Sequence, residues 1–559
     1  MSTRTPFELR VALLGCPAHP LGQWTERNLN RLRDLGFNAA QLNIAWGYRP
    51  ADEPLNLEDV VRLPDHLEPT LGQPLALRSD PAPDAFDRRR ADLRGRAHLA
   101  RNAGLRTIFH FGAPYNGFEG FVDRPLPNCL LDGRTPERYV RLLEVFARDF
   151  PDVDDLLLYT FDQDAWICDE YGTCQRCRGL PLHERVVPFV NLLARTWRRL
   201  TPHGRLWWEP WELSAGQALR AVEDLDADTA GLALHSNVAE VMIALPVDRF
   251  VKNAAALAHE RGLPVILEGF LGAPSEELEP FRSVPSPLAT LRQLRAFHAT
   301  HGVTSVKEYF GLLPDQDDVN LDATGLFLHD PHVSDDDALT RLADTRGPRE
   351  LADYWRLTSR AVELFPWDAS WYIREVGRAD PAHGLDAAFI RGQQVHTPAW
   401  ESTRRATFMQ TSDEQPDPWL LEDVALRLDL TERTLARALT LGRTLAPKVH
   451  PHARDAFDRG LDELHAWRLR CRAYAHHLHE TNLTHALRLT RDRGEPLSAD
   501  LLARLKATLE ADLHDQDDHP ELRRALDLLT RDPHGFLDTY FRVRPDNPRD
   551  KGPFTVTTR

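Results

Sequence analysis

The sequence predicts a (β/α)8 barrel followed by an all-α domain. Three observations lead to this fold class. Eight short apolar runs alternate with amphipathic stretches through the first 330 residues. A glycine repeatedly separates the end of a helical stretch from the next run. Beyond about residue 345 the strand signals fade and amphipathic helices remain.

The strands are expected at residues 9–15, 39–46, 106–111, 156–161, 205–208, 231–235, 264–268 and 304–309. Each is short, apolar and bounded by turn residues, as buried parallel strands are. Helices are expected between them at 25–35, 85–103, 136–150, 183–200, 216–224, 246–261 and 287–301. The first, second, sixth and seventh end at Gly36, Gly104, Gly262 and Gly302, positions suited to a helix C′ residue. An open doubly wound sheet is the alternative, but no glycine-rich phosphate loop follows the first strand. Residues 49–82 and 115–135 are insertions after the second and third strands, on the face where barrels build their sites.

Helices are expected again at 349–364, 420–446, 454–478, 500–515 and 520–531. Residues 381–418 are less regular. The expected organisation is a barrel over 1–345, a helical domain over 346–540 and an irregular tail over 541–559.

With 559 residues, 42% of them apolar and 27% charged, the chain has the composition of a folded globular protein. A net charge of −16 argues against general nucleic-acid binding, which needs a basic surface. No apolar run approaches the ~20 residues of a membrane span. The first residues carry no apolar h-region, so a cytoplasmic location is expected. A homodimer is left open.

In a barrel the chemistry belongs at strand C-termini. Those ends offer Cys16, His19, Trp46, Tyr48, His110, Tyr115, Asn116, Asp162, Asp164 and Trp166 from the first four strands. The last four offer Trp207, Trp208, Glu209, Trp211, Glu212, His235, Asn237, Glu268, Phe270, Lys307, Glu308 and Tyr309. Carboxylates and large aromatics together suit sugars. Pyranose C–H faces stack on Trp and Tyr, and glycoside hydrolysis needs one protonated and one ionised carboxyl group.

Asp164 or Asp162 is the expected acid and Glu268 the nucleophile or base, with Glu209 and Glu308 supporting. Asp162 and Asp164 share strand parity, so one face can present both. A carboxylate such as Glu268 at the end of a buried run is costly unless used or paired. The bland readings are a loop salt bridge for the aspartates, a rim salt bridge for Glu209, an ion pair with Lys307 for Glu308, and satisfied core histidines for His110 and His235. Trp46, His110, Tyr115, Asn116, Trp166, Trp208, His235 and Tyr309 are the candidate substrate-binding residues. Trp166 can supply the apolar wall that raises the pKa of Asp164.

Three cysteines crowd into Cys168-Asp-Glu-Tyr-Gly-Thr-Cys174-Gln-Arg-Cys177. With Cys129 from the neighbouring loop they can form a structural zinc site of four thiolates, with no open position for catalysis. Free thiols or a disulfide are the competing readings. Cys16 and Cys471 read as single buried thiols. No cofactor is expected for catalysis itself.

The stretch Phe161-Asp-Gln-Asp-Ala-Trp-Ile-Cys-Asp-Glu-Tyr-Gly-Thr-Cys-Gln-Arg-Cys-Arg-Gly179 resembles a fourth-strand segment of bacterial glycoside-hydrolase-like barrels. The stretch Leu364-Phe-Pro-Trp-Asp-Ala-Ser-Trp371 resembles the start of the helical domain that follows such barrels. The order of domains is similar to that of α-glucuronidases and of barrels related to β-N-acetylhexosaminidases. The resemblance implies a glycosidase acting on carbohydrate. Those families place a Glu as acid on the fourth strand, where this chain has Asp162 and Asp164. Their Asp-Glu dipeptide has no counterpart at that strand end, since Asp169-Glu170 lies beyond it.

Two other classes remain. One is a metal-dependent barrel hydrolase with His19, His110, His235 and an Asp as ligands. Against it, the first strand lacks a His-x-His pair and no His-Glu-x-x-His occurs. The other is a sugar-binding barrel without catalysis.

Overall fold

The computed structural model describes residues 6–15, 22–44, 53–54, 56–63, 82–116, 126–160, 165–168, 170–210, 213–235, 243, 245–272, 281–367, 418–516 and 519–542. Within them, eight parallel strands close into a barrel, each paired with its sequence neighbours. They are β1 (Arg10–Leu13), β2 (Ala39–Gln41), β3 (Arg106–Gly112), β4 (Asp155–Tyr159), β5 (Leu206–Glu209), β6 (Ala230–Leu234), β7 (Val265–Gly269) and β8 (Ser305–Glu308). Closure comes from β1 against β8, with Arg10 opposite Val306 and Val11 opposite Lys307. This excludes the open-sheet alternative.

Helices alternate with the strands: α1 (Glu26–Asp34), α2 (Ala85–Asn102), α3 (Arg134–Asp149), α4 (Leu182–Leu200), α5 (Ala215–Asp224), α6 (Arg249–Glu260), α7 (Pro287–Ala299) and α8 (Val319–His329). Gly36, Gly104, Gly262 and Gly302 take φ values of +99°, +77°, +72° and +86°, the left-handed conformation that glycine adopts without strain. Helix α8 was not expected from the sequence. It has 11 residues and buried ones on every side, so it carries no amphipathic period to read.

Strand alternation sorts the barrel interior into layers. Val11, Ala39, Ile108, Leu157, Trp207, Ala233 and Ile266 form one apolar cluster. Trp207 fits because residue 231 is glycine: a Cβ there would lie 2.5 Å from the indole ring. Two residues further along, β1 presents Leu13 and the other strands turn polar. Gln41, His110, Tyr159, Glu209, His235, Glu268 and Lys307 occupy this level. Trp208 and Glu308 have the opposite parity and face away from the axis.

The chain divides into two compact units. The first holds the barrel. The second holds residues 281–289 and the helical region from Leu339 onward. Its described helices include α10 (Leu351–Leu364), α11 (Pro418–Leu445), the 42-residue α12 (Pro451–Asp492), α13 (Ala499–Asp515), α14 (Pro520–Arg531) and α15 (Pro533–Thr539). Helix α9 (Asp335–Arg346) precedes them. Among the described residues no helix is long and apolar enough to cross a membrane.

Candidate active site

The polar ring at the C-terminal end of the barrel brings together five of the sequence candidates. Glu268 is wholly buried, and its Oε1 accepts from Lys307 Nζ at 2.7 Å. The register of β7 against β8 sets Glu268 directly opposite Lys307. Lys307 therefore pairs with Glu268, not with its chain neighbour Glu308. The other carboxyl oxygen of Glu268 is buried without a hydrogen-bond partner, and Glu209 is near enough to act on its charge. Burial and the nearby Glu209 charge push Glu268 up to about 7, against the pull of Lys307 and His235.

Glu209 ends β5, and its side chain retains 10% of its exposure, so it is the outer member of the pair. Its Oε2 lies 3.0 Å from His110 Nε2. The His110 ring is held edge-on by Tyr159, with centroids 5.2 Å apart, and Gln41 approaches its Nδ1 at 3.3 Å. Asn43 fixes the His110 backbone by donating to its carbonyl at 2.7 Å and accepting from its N–H at 2.9 Å. On the other side, His235 and Tyr309 pack edge to face at 5.5 Å, and Tyr309 meets Phe270 at 5.9 Å.

Glu308 has a different setting. Its Oε2 accepts from Leu271 N at 2.7 Å, and its Oε1 from Phe310 N at 2.8 Å and Gly311 N at 2.9 Å. It ties the loops after β7 and β8 together. Burial raises it, and those three amides counter the rise. Trp208 is likewise remote from the ring: it is fully buried, and its Nε1 donates to Thr160 Oγ1 at 3.2 Å.

Tyr115, Asn116 and Trp166 belong to one stitched pair of loops after β3 and β4. Tyr115 bridges Ala165. Asn116 Nδ2 donates to Trp166 O at 2.6 Å, and its Oδ1 accepts from Asn128 N at 2.8 Å. Asn128 Nδ2 donates to Tyr115 O at 2.6 Å. Beneath them Tyr139 donates to Glu58 at 2.8 Å and accepts from Tyr115 N at 2.6 Å. Both Asn116 and Trp166 are buried, and the Asn116 side chain and the Trp166 backbone serve this framework. Trp46, Asp162 and Asp164, with His19 and Cys16, lie outside the described residues.

Cys129 follows Asn128 directly, and Cys168 follows Trp166 by two residues. Their sulfurs and those of Cys174 and Cys177 all lie within 4.8 Å of one another, and all four residues are buried. Cys129 Sγ is 3.9 Å from Cys174 Sγ and 3.4 Å from Cys177 Sγ. Tetrahedral zinc with Zn–S bonds of ~2.3 Å spaces its sulfurs about 3.8 Å apart. The donor set therefore fits a tetrahedral thiophilic ion. Hydrogen bonds from Cys168 and Cys177 hold the Cys129 thiol far below its usual range, and the contact with Cys129 pushes Cys177 up to about 12. Arg185 donates to Cys168 O at 2.7 Å and places a cation beside the cluster. Cys471 is a buried single thiol in the helical unit.

Gln41, Asn43 and Glu58 were not singled out from the sequence. Gln41 carried a readable signal: it is a polar residue in step with Ala39 on an otherwise apolar inward face. Asn43 and Glu58 act through contacts with residues distant in the chain, which no local pattern records.

No protein-family model matches the sequence, and no curated protein matches it significantly. Solved structures do. A GH138 enzyme targeting pectin rhamnogalacturonan II aligns over 97% of this chain with a TM-score of 0.57 and 12% identity. The chain spans 63% of that protein's length. An O-GlcNAc hydrolase of Thermobaculum terrenum aligns over 95% of this chain and 96% of its own, with a TM-score of 0.44 and 14% identity. A Bacteroidetes-affiliated GH5 cellulase covers 61% of this chain and 96% of its own, with a TM-score of 0.36 and 13% identity. At such identities the likeness to the first of these is one of fold, and it agrees with the closed barrel.

Proposed function

We propose that the chain is a glycoside hydrolase that cleaves O-glycosidic bonds of small glycosides or oligosaccharides at the carboxyl ends of its strands. The observation that carries this reading is the Glu209–Glu268 pair inside the barrel mouth, with Glu268 raised to about 7 and Glu209 partly exposed. Glycoside hydrolysis needs carboxyls held in unlike protonation states, and unlike surroundings achieve that. Glu268 is wholly buried and Glu209 is the outer of the two, so the pair does not present both carboxyls to one glycosidic bond. Glu209 is therefore assigned as nucleophile or base, and Glu268 as the enclosed proton-holding partner behind it. Asp164, or Asp162, is assigned as the acid. Trp46, Tyr115, Trp166, His235 and Tyr309 are assigned to the walls of the sugar site. The fold shared with the GH138 enzyme supports the reaction class and leaves the sugar open.

In the same reading Cys129, Cys168, Cys174 and Cys177 hold one structural zinc ion that pins the loops after β3 and β4. Metal content of the purified protein tests this. One zinc per chain, lost in Cys129→Ser, is expected. Metal-free protein with four readily titrated thiols would overturn it.

The activity is tested by hydrolysis of a panel of aryl glycosides and glucuronides by wild type, Asp164→Asn, Glu209→Gln and Glu268→Gln. Turnover on one sugar is expected, falling by about 10²–10⁴-fold in each folded variant. No turnover on any sugar, or full activity in Glu209→Gln, would sink the reading.

A further inference from the structure

We propose that Gln41 is a positioning residue that fixes the tautomer of His110 and thereby keeps the charge of the Glu209–Glu268 pair on Glu209. The proposal rests on the assignment of that pair as the reacting carboxyls.

Gln41 ends β2 and is wholly buried. Its Nε2 lies 2.7 Å from the Asn43 carbonyl oxygen and 3.3 Å from His110 Nδ1. The Asn43 carbonyl can only accept. The Gln41 amide must therefore present its nitrogen there, because the reverse orientation would set two oxygens against each other. That nitrogen has a second N–H, and it meets His110 Nδ1. Nδ1 is then the acceptor of the ring. A neutral imidazole keeps one N–H, which falls on Nε2, 3.0 Å from Glu209 Oε2.

The reference point does not swing. Asn43 Nδ2 donates to His110 O at 2.7 Å and to Pro54 O at 2.9 Å, and its Oδ1 accepts from His110 N at 2.9 Å. The backbone of His110 and the carbonyl that orients Gln41 are thus parts of one lock.

A second observation shows that Gln41 is not there for packing. Its Oε1 is buried with no hydrogen-bond partner. An orphaned buried acceptor costs about 1–3 kcal/mol, and Met would fill a similar volume without that loss. The fold tolerates the orphan, and the gain is an N–H aimed at His110. A donor at Glu209 Oε2 favours the charge on Glu209 and leaves the pair's proton with Glu268, which burial and the Glu209 charge raise against the pull of Lys307. The charge then sits on the member that substrate can reach. Gln41 does not touch Glu209 and acts through the ring alone.

The test uses the full chain with 15N-labelled histidine rings and 13C-labelled glutamate carboxyls. The His110 signal is identified by its loss in His110→Gln, and the pair's signals by their loss in Glu209→Gln and Glu268→Gln. At pH 7 the wild-type ring should show its proton on Nε2. Gln41→Glu supplies an acceptor where a donor stood, so the proton should move to Nδ1 or the ring should become doubly protonated. Gln41→Met keeps the volume and removes the constraint. The ring should then populate both tautomers, and the carboxyl titration of the pair should shift. On a turned-over glycoside, Gln41→Met should lower kcat about tenfold or more with KM near wild type. A wild-type ring protonated on Nδ1 would overturn the proposal. So would a wild-type pattern retained in both Gln41 variants, or a ring that changes while the carboxyl titration does not. None of the spectra needs a substrate. The expected spectra with no turnover of any glycoside would refute the glycosidase reading and leave the Gln41–His110 lock standing.

Discussion

Glu268 in the barrel and Glu480 in the helical unit are both wholly buried glutamates, and burial raises both above the usual carboxyl range. Their surroundings differ. Glu268 has an ammonium at 2.7 Å on one oxygen and the nearby Glu209 charge, which raises it further. Glu480 sits in α12 with no partner for either oxygen, and its electrostatic neighbour is the like-charged Asp512. The hydroxyls of Thr481 and Thr484 beside it are unpartnered as well. A raised pKa alone therefore does not mark a reaction centre. What separates the two is the cation: each has a second acid as neighbour, and only Glu268 has an ammonium against it. The first lies against a cation, and the second has no hydrogen-bond partner for either oxygen.

The largest effect should come from breaking the arranged side of that comparison. Glu268→Gln replaces the carboxyl oxygen that Lys307 Nζ meets at 2.7 Å by an amide oxygen, which costs about 2–3 kcal/mol. Urea unfolding of Glu268→Gln against the double variant Glu268→Gln/Lys307→Met should show most of that loss restored in the double. Activity should stay lost in both. Equal stability of the two would mean that Lys307 has another anion to turn to.

Glu308→Gln should come next. The three backbone amides it accepts would face an amide nitrogen in place of one oxygen. The expected loss is about 2 kcal/mol, measured by the same unfolding experiment. The pH dependence of any activity should be unchanged, in contrast with Glu268. A shifted pH profile in Glu308→Gln would move it from the scaffold into the site.

The barrel was largely legible because its signals are local. Apolar runs at residues 106–111 and 264–268 and the glycines before them need no partner to be recognised, and β3 and β7 form there. The candidate site was legible as a set of strand ends, but not as a set of pairs. Which side of β8 carries chemistry depends on counting by two from Val306, and the partner of Lys307 depends on a register between strands 39 residues apart. Gln41 was missed because its role is the lock it forms with His110, 69 residues away. The four cysteines show the intermediate case. Three were legible from spacing, and the fourth from the barrel topology that brings adjacent βα loops together.

The smallest effect concerns the unarranged side. Glu480→Gln should stabilise the protein near neutral pH by on the order of 1–2 kcal/mol. The sign follows from linkage. The folded state holds the Glu480 proton more tightly than the unfolded chain, where the carboxyl titrates near the ordinary ~4.3. Below that pH both states are protonated and the group costs nothing through titration. As pH rises above it, the unfolded chain ionises freely while the buried group resists, so stability drains away toward the raised folded-state value. Glutamine carries no proton to lose. The gap between Glu480→Gln and wild type should therefore be near its minimum at pH 4 and widen by pH 8, measured as the difference in urea unfolding free energy at each. Asp512, raised by burial and held by Gln516 at 2.8 Å, remains in both proteins and largely cancels in the difference. A gap that is constant with pH would show that Glu480 titrates alike in both states. The contrast with Glu268 would then rest on the barrel pair alone.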